Sequence, residues 1–384
     1  MTQLDAEGVT RVILDLVDEK MRESRGRSLR AEPGFDPAAP GSLSLGADGA
    51  ALDSVDMLTA AGLVNELFHL HETGVEDMLL RKRRIAEWAE IVVVALDEGT
   101  SGFTFHTSGT TGEPKRITHG RASLEQEIDY LAEVLAGRGR VIATVPAHHI
   151  YGFLFTVFLP ARLGAPVVAV PWDALGGIGA QVTDSDLIVA NPTIWRYLSR
   201  AAGSWPPGVW GTSSTAPLPA DVDRAVREGG LERLVEIYGS TETGGVGLRA
   251  AAGEPFELFP YFTRATGSGL ARSRPDGTSD EVELLDHLEW ADDRHFLPRG
   301  RLDRVVQVGG RNVDLSHVCD VLGAMPGVLR AEVSPLTVDG ETRLEAVLHA
   351  APAPATAPTL EAARAHATER LRPHERPGTI RFAP

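Results

Sequence analysis

The sequence predicts an α/β protein: a helical segment, then a parallel sheet covered by helices on both faces, then a small α/β unit at the C-terminal end. Three observations carry this. From Phe103 to Ile237 short apolar runs alternate with helix-periodic stretches, the pattern of repeated strand–helix–strand crossovers. Before that point the apolar residues recur at helical spacing only. Finally, 384 residues, 43% hydrophobic and 23% charged, suffice at roughly 150 residues per domain for two or three domains with real cores.

In chain order, Val9, Val12, Ile13, Leu16, Val17 and Met21 place a helix over 8–22. The Gly/Pro/Ala-rich stretch Glu32–Gly49 reads as a long loop. Leu52–Leu70 is a second helix, with Val55, Leu58, Ala61, Leu63, Val64 and Phe68 on one face, and Gly74–Ile91 a third. The run Arg81-Lys82-Arg83-Arg84 is then a solvated helix face. Strands follow at Phe103–His106, Val141–Val145, Val167–Val170, Leu187–Ala190, Val209–Thr212 and Leu234–Ile237. Between them lie a helix over Ser123–Ala136, capped by Ser123 and Gln126, one opened by Asn191 and Pro192, and one near Asp221–Arg227. Residues 246–300 lose the helical period and read as short strands with turns. A helix at Leu315–Leu322, strands Arg330–Val333 and Leu344–Leu348, a linker at Ala350–Pro358 and a helix at Leu360–Leu371 complete the chain. The expected boundaries are 1–100, 101–302 and 303–384.

The 37 Lys+Arg against 53 Asp+Glu give a net charge of −16. Such a surface repels a phosphate backbone, so nucleic acid is excluded as a partner class. The single cysteine, Cys319, leaves no internal disulfide and no cysteine zinc cluster. The acidic start MTQLDAEGV lacks an apolar signal core, and the most apolar stretch, Tyr151–Pro160, is too short to span a bilayer. A cytoplasmic protein is expected. His69-Leu70-His71 is too closely spaced and isolated for a metal site.

The strongest chemical signal is Thr107-Ser108-Gly109-Thr110-Thr111-Gly112-Glu113-Pro114-Lys115, directly after an expected strand. A loop of Gly, Ser and Thr offers backbone N–H and hydroxyl donors and lets phosphate oxygens approach closely. Lys115, one of only three lysines with Lys20 and Lys82, adds a compact positive charge. The spacing is not that of a Walker A loop.

This loop resembles the phosphate loop of the acyl-adenylate-forming enzymes, which include acyl- and aryl-CoA ligases, peptide-synthetase adenylation domains and luciferases. The resemblance recurs in order over roughly residues 103–318. Tyr238-Gly239-Ser240-Thr241-Glu242 is similar to the family's second hallmark, implying adenine stacking for Tyr238, α-phosphate or carboxylate contact for Thr241 and Mg²⁺ binding for Glu242. Pro146-Ala147-His148-His149-Ile150-Tyr151-Gly152 looks like the segment in which His149 borders the acid pocket, with Tyr151, Ser213 and Gly239 completing it. A lone paired histidine is otherwise more often a loop or core residue. Ser213-Ser214-Thr215-Ala216-Pro217-Leu218 matches the strand end against adenine and acyl group, with Ser214 where a glycine is usual, a change expected to narrow the pocket. The ribose triplet is eroded to Leu284-Leu285-Asp286, and its spacing to Gly300-Arg301 implies that Asp286 takes the ribose hydroxyls with Arg301 assisting. Asp303 occupies the hinge position, and Gln307–Val313 resembles the loop that faces the acceptor.

The implied architecture is a large N-terminal domain with a small barrel-like part and a C-terminal lid domain. The implied reaction joins a carboxylic acid to the α-phosphate of ATP·Mg²⁺, then transfers the acyl group to the thiol of CoA or of a carrier protein's phosphopantetheine. The shortened architecture and Phe68-His69-Leu70-His71-Glu72 look like small aryl acid ligases, implying a hydroxybenzoate- or cinnamate-type acid. Two departures stand out. Relatives place a lysine near the C-terminus, whereas no lysine follows Lys115 here. Truncation, a substitute such as Arg381, a pre-activated substrate or slow adenylation are the readings left open, beside two wider rivals: activation of another oxyanion such as nitrite or amide formation, and a catalytically weak nucleotide-binding protein. Leu52-Asp53-Ser54-Val55-Asp56 also resembles the phosphopantetheine site of acyl carrier proteins, although Asp-Ser is a common helix cap. The acid's identity, the acceptor thiol and the oligomeric state stay open.

Overall fold

A computed structural model describes all residues except Met1, Pro33, 107–114, Ala202, 266–268, 302–304, 339–340, 351–357 and Pro384. The chain forms two units. One contains Met1–Phe105, Arg116–Thr263 and Ala271–Glu281; the other contains His106–Lys115, Arg264–Leu270 and Val282–Pro384.

In the larger unit helix α1 (Ala6–Arg25) starts where the Asp5 carboxylate accepts the Gly8 N–H at 2.7 Å and stops at Gly26, whose φ of 65° is the left-handed turn an α-helix commonly ends on. Helix α2 (Ser54–Phe68) opens with a reciprocal capping box between Asp53 and Asp56. Its buried face is Met57, Ala60, Ala61, Val64, Leu67 and Phe68, while Val55 and Leu58 are exposed. The expected face through Val55 and Leu58 is therefore wrong, because apolar residues occupy two sides of this helix and packing selects one. The third expected helix is broken into α3 (Glu76–Leu79) and α4 (Ile85–Glu98). Arg81–Arg84 is an exposed connection between them rather than a helix face; Arg84 bridges antiparallel to Ser44.

Strands β1 (Gly102–His106) and β2 (Arg116–Gly120) pair as a two-stranded sheet. Helix α5 (Arg121–Val134) begins two residues earlier than expected, with Gly120 at its cap. Ser123 therefore lies inside the first turn and the expected capping box does not form. The main sheet is built from β3 (Arg140–Ala143), β4 (Val167–Ala169), β5 (Asp186–Ala190), β6 (Trp210–Ser213), β7 (Arg233–Ser240), β8 (Gly244–Arg249) and β9 (Phe256–Leu258), in the order β9-β8-β7-β6-β5-β3-β4. From β4 to β7 every pair is parallel; β8 and β9 are antiparallel additions. The Asn191 side chain caps the helix Pro192–Ala201 by accepting the Ile194 N–H at 2.9 Å, as its sequence predicts.

Two apolar clusters hold this sheet. In one, Ile142, Ile188, Trp195, Leu198, Val222, Val226 and Leu234 pack crossover helices onto the strands. In the other, Phe68, Phe103, Phe105, Phe153 and Phe158 stack edge-on or tilted, with centroids 5.0–6.3 Å apart. Helix α2 thus shares this core through Phe68. The apolar run after Tyr151 is buried as a helix with a π-turn at Leu154–Phe158. Pro160 has no N–H for the Thr156 carbonyl; Arg11 of α1 donates to that oxygen instead, at 2.8 Å. Among the described residues no helix is long and apolar enough to cross a membrane.

Phe262–Arg264, Leu270–Ser273 and Ser279–Val282 pair in that order into a three-stranded sheet. Among the described residues this sheet is open. In the smaller unit Asp286–Trp290 and His295–Arg301 form a hairpin, as do Val305–Val308 and Arg311–Asp314. Gly309 and Gly310, at φ 57° and 78°, are the two turn residues of the second, the backbone a tight hairpin requires. Val328–Val338, Glu341–Ala350 and Thr379–Phe382 form a three-stranded sheet, joined by helices Leu315–Gly323 and Leu360–Arg370 in a core of Val318, Leu322, Leu344, Ala346, Leu348, Ala363 and Ile380.

Candidate functional site

The turn joining β7 to β8 carries Thr241 and Glu242. Gly239 faces Gly245 across the hairpin, and a Cβ on Gly239 would stand 2.1 Å from the Gly244 carbonyl oxygen. Only glycine permits this approach. Above it the Ser240 N–H donates to Thr243 Oγ1 at 3.1 Å, the Thr243 N–H returns to Ser240 Oγ at 3.2 Å, and Thr243 Oγ1 donates to the Gly244 carbonyl at 2.8 Å. These bonds spend the hydroxyls of Ser240 and Thr243 on holding the turn. Thr241 and Glu242 sit half-buried at its tip, and among the described residues the Glu242 carboxylate makes no hydrogen bond or ion pair. A rigidly mounted carboxylate with its oxygens available is the donor a hard divalent cation takes. Tyr238, half-buried at the base, packs its ring 5.5 Å from that of Phe256.

Two residues that sequence reasoning passed over fix this turn from below. His119 at the end of β2 donates from Nε2 to the Thr241 carbonyl at 2.7 Å, which sets its tautomer. Burial pushes its pKa down, so the ring stays neutral. Glu127 lies on the apolar stripe of α5 with Leu124, Ile128 and Leu131, and its Oε1 accepts the Gly245 N–H at 2.9 Å. Its Oε2 is buried with no hydrogen-bond partner among the described residues. Burial pushes the carboxyl up to about 7, against the opposing pull of Arg272 and the Gly245 amide. Arg272 is buried as well; it donates to the Ser123 carbonyl at 2.5 Å and to Gln126 Oε1 at 3.1 Å, over the Tyr261 ring. The residues expected as a cap instead receive this arginine. An acid inside a helix's apolar stripe was the legible signal.

At the end of β6, Ser213 is fully buried and its hydroxyl has no hydrogen-bond partner among the described residues. The Ser214 hydroxyl donates to the Ile237 carbonyl at 2.9 Å, so it is spent on β7. Thr215 follows at φ 77°, a left-handed conformation strained for a β-branched residue. The Leu218 N–H then bonds Glu236, which is paired inside the protein with Arg249 at 2.7 Å. Together these fix the strand end beside the Tyr238 strand.

The loop before the aromatic helix needs glycine at Gly152, where a Cβ would lie 1.8 Å from the Pro146 carbonyl oxygen. The Tyr151 hydroxyl is buried, 2.8 Å from Thr212 Oγ1 and 3.1 Å from the Ala190 carbonyl, tying the ends of β5 and β6; burial raises its pKa. His149, at the helix start, is half-exposed; its neighbour His148 is buried, with Nε2 2.5 Å from Glu19 Oε2 on α1. His69 is a buried structural residue bonded to Thr104 at 2.8 Å.

In the smaller unit the hairpin register sets Asp286 opposite Arg301, bringing together the two residues expected at a ribose. Lys115 is exposed. Thr107, Ser108, Gly109, Thr110, Thr111 and Gly112 of the expected phosphate loop, and Asp303 of the expected hinge, lie outside the described residues. Ser54 is exposed at the first turn of α2. Arg381 pairs with Glu345 at 3.2 Å.

A family described as AMP-binding enzyme matches residues 51–264. The chain is 39% identical to the 4-coumarate–CoA ligase of Halorhodospira halophila over 91% of its own length and 88% of that protein's. It is 37% identical to the 4-coumarate–CoA ligase of Rhodobacter capsulatus over 97% and 96%. Among solved structures, the o-succinylbenzoate CoA synthetase of Bacillus subtilis superposes with a TM-score of 0.61 at 19% identity, covering 73% of this chain and 65% of that one. An amide bond synthetase from Marinactinospora thermotolerans superposes at 0.58 and 19%, covering 73% and 65%. At such identity these two likenesses concern the fold.

Proposed function

Since the chain belongs to the AMP-binding enzyme family, we propose that it is an ATP-dependent acid–CoA ligase acting on a small aromatic acid of the hydroxycinnamate class. The observation that carries the reading is the turn Tyr238–Gly245: a backbone-locked hairpin with Tyr238 at its base and, at its tip, Thr241 and a Glu242 carboxylate unpaired among the described residues. The identity to 4-coumarate–CoA ligases over nine-tenths of the chain supports the acid class.

In this reading Thr107–Gly112 and Lys115 hold the triphosphate, Tyr238 stacks on adenine, Asp286 and Arg301 take the ribose, and Thr241 holds the α-phosphate. Glu242 is the residue that would hold Mg²⁺, whose charge, when bound, neutralises phosphate oxygens. The acid lies near His149, Tyr151, Ser213 and Gly239, with the imidazole of His149 orienting its carboxylate. Residues 303–384 act as the lid, turning about Asp303. The protein's contribution is to place acid and α-phosphorus in line and to stabilise charge as the carboxylate displaces pyrophosphate. The thiol of CoA then displaces AMP; a carrier-protein phosphopantetheine is the alternative acceptor.

The test is acid-dependent release of pyrophosphate and formation of thioester, followed with ATP·Mg²⁺, CoA and a panel of hydroxycinnamates, benzoates and aliphatic acids. Aromatic thioesters are expected, with Glu242→Gln lowering turnover by roughly a hundredfold or more, the scale on which a lost charge-stabilising group acts. No pyrophosphate with any aromatic acid, or full activity of Glu242→Gln, refutes the reading. Activation of a different oxyanion, or amide formation, predicts pyrophosphate release with nitrite or with acid plus amine in the same assay.

A further inference from the structure

Beyond this activity, we propose that Glu19, His148 and His149 form a binding site for a transition-metal dication of the zinc class. The three residues come from two elements that the fold clamps together. Helix α1 brings Glu19, and one turn earlier Asp15 Oδ2 accepts the Ala147 N–H at 2.7 Å, fixing the loop immediately before the two histidines. Immediately after them, the helix from Ile150 is tied back to α1 where Arg11 reaches the Thr156 carbonyl. The backbone on both sides of the cluster is thus held before any ion arrives.

The donor atoms converge. Glu19 Oε2 lies 2.5 Å from His148 Nε2 and 4.0 Å from His149 Nε2, and one donor atom from each of the three residues lies within 4.8 Å of the others. The two rings sit 4.1 Å apart, centroid to centroid. Ligands about 2.0–2.1 Å from a tetrahedral Zn²⁺ stand about 3.3 Å from one another. The first distance must open by about 0.8 Å and the second close by about 0.7 Å, within side-chain rotation. The environment suits a bound ion with one open position: His148 is buried, Glu19 is partly covered and His149 faces solvent. His148 Nδ1 is buried with no hydrogen-bond partner among the described residues, and the bond of its Nε2 to Glu19 is the one an ion would replace.

The donor set decides the ion. Two neutral imidazoles and one carboxylate are borderline-soft ligands, matched to Zn²⁺, Ni²⁺ or Cu²⁺ and mismatched to Mg²⁺ or Ca²⁺, which require an oxygen shell. The proposed cation site is therefore chemically distinct from the carboxylate of Glu242. It draws on the His149 imidazole, so a bound ion also withdraws that nitrogen from the acid.

The test is calorimetric titration of the chelator-treated full chain with Zn²⁺, alone and in excess Mg²⁺, which demands an oxygen shell. One equivalent is expected to bind, insensitive to Mg²⁺. Glu19→Gln and His149→Ala, both at solvent-reached positions, should each weaken it by roughly tenfold or more, the scale of lost metal-site contacts, whereas His71→Ala leaves it unchanged. Co²⁺ substitution should give the visible absorption of a four-coordinate nitrogen/oxygen site in the parent and not in His149→Ala. These readouts involve no turnover, so they stand or fall separately from the ligase reading. Zn²⁺ binding equal in the parent and both variants, binding abolished by Mg²⁺, or no stoichiometric binding overturns the proposal. Circular dichroism of each variant separates a lost ligand from a lost fold.

Discussion

Replacing Glu127 by glutamine tests the electrostatics under the Thr241–Glu242 turn. In the folded protein burial raises this carboxyl from 4.5 to about 7, whereas in the unfolded chain it titrates near its ordinary value. An acid whose folded pKa is raised holds its proton longer in the native state. Its contribution therefore penalises folding as pH rises from 4.5, and the penalty is complete above about 7. At 1.36 kcal/mol per unit, the shift corresponds to about 3 kcal/mol. Glutamine keeps an oxygen for the Gly245 N–H, now 2.9 Å from Glu127 Oε1, and its amide takes the place of the unpartnered Oε2. Glu127→Gln should match the parent at pH 4.5 and exceed its stability by up to about 3 kcal/mol at pH 8. Urea denaturation followed by circular dichroism at pH 4.5, 6, 7 and 8 measures this. A difference that is constant with pH, or a variant less stable than the parent at pH 8, refutes the assignment of a carboxyl whose burial outweighs the pull of Arg272 and the Gly245 amide.

Three further outcomes follow from the same geometry. Gly239→Ala drives a Cβ to 2.1 Å from the Gly244 carbonyl oxygen; it should cost about 3 kcal/mol or more by forcing the hairpin apart and remove acid-dependent pyrophosphate release, read by denaturation and enzyme assay. His119→Ala leaves the Thr241 carbonyl without its donor and should cost about 1–3 kcal/mol, with ATP binding weakened more than acid binding in calorimetry. Tyr151→Phe removes the hydroxyl between Thr212 and Ala190 and should lower stability by about 1 kcal/mol, visible as a lower thermal midpoint.

The sequence determined the order of elements and the chemistry of its hallmark segments. Alternating apolar runs depend on local periodicity, which is why the strands from β3 to β7 and the Asn191 cap are where the pattern puts them. The segment Tyr238–Glu242 was legible through its family resemblance alone; the backbone approach that requires glycine at Gly239 belongs to the folded hairpin. Choices among equal local options were decided elsewhere. Helix α2 has apolar residues on two sides, and only its neighbours select Met57 over Leu58. Likewise, periodicity cannot tell one long helix from the pair α3 and α4, nor a Ser123 cap from the landing site of Arg272. Most of all, tertiary structure alone assembled Glu127 and His119 under the turn and Glu19 beside His148. Such pairs lie more than a hundred residues apart, and burial, charge and donor geometry exist only once the chain has closed on itself.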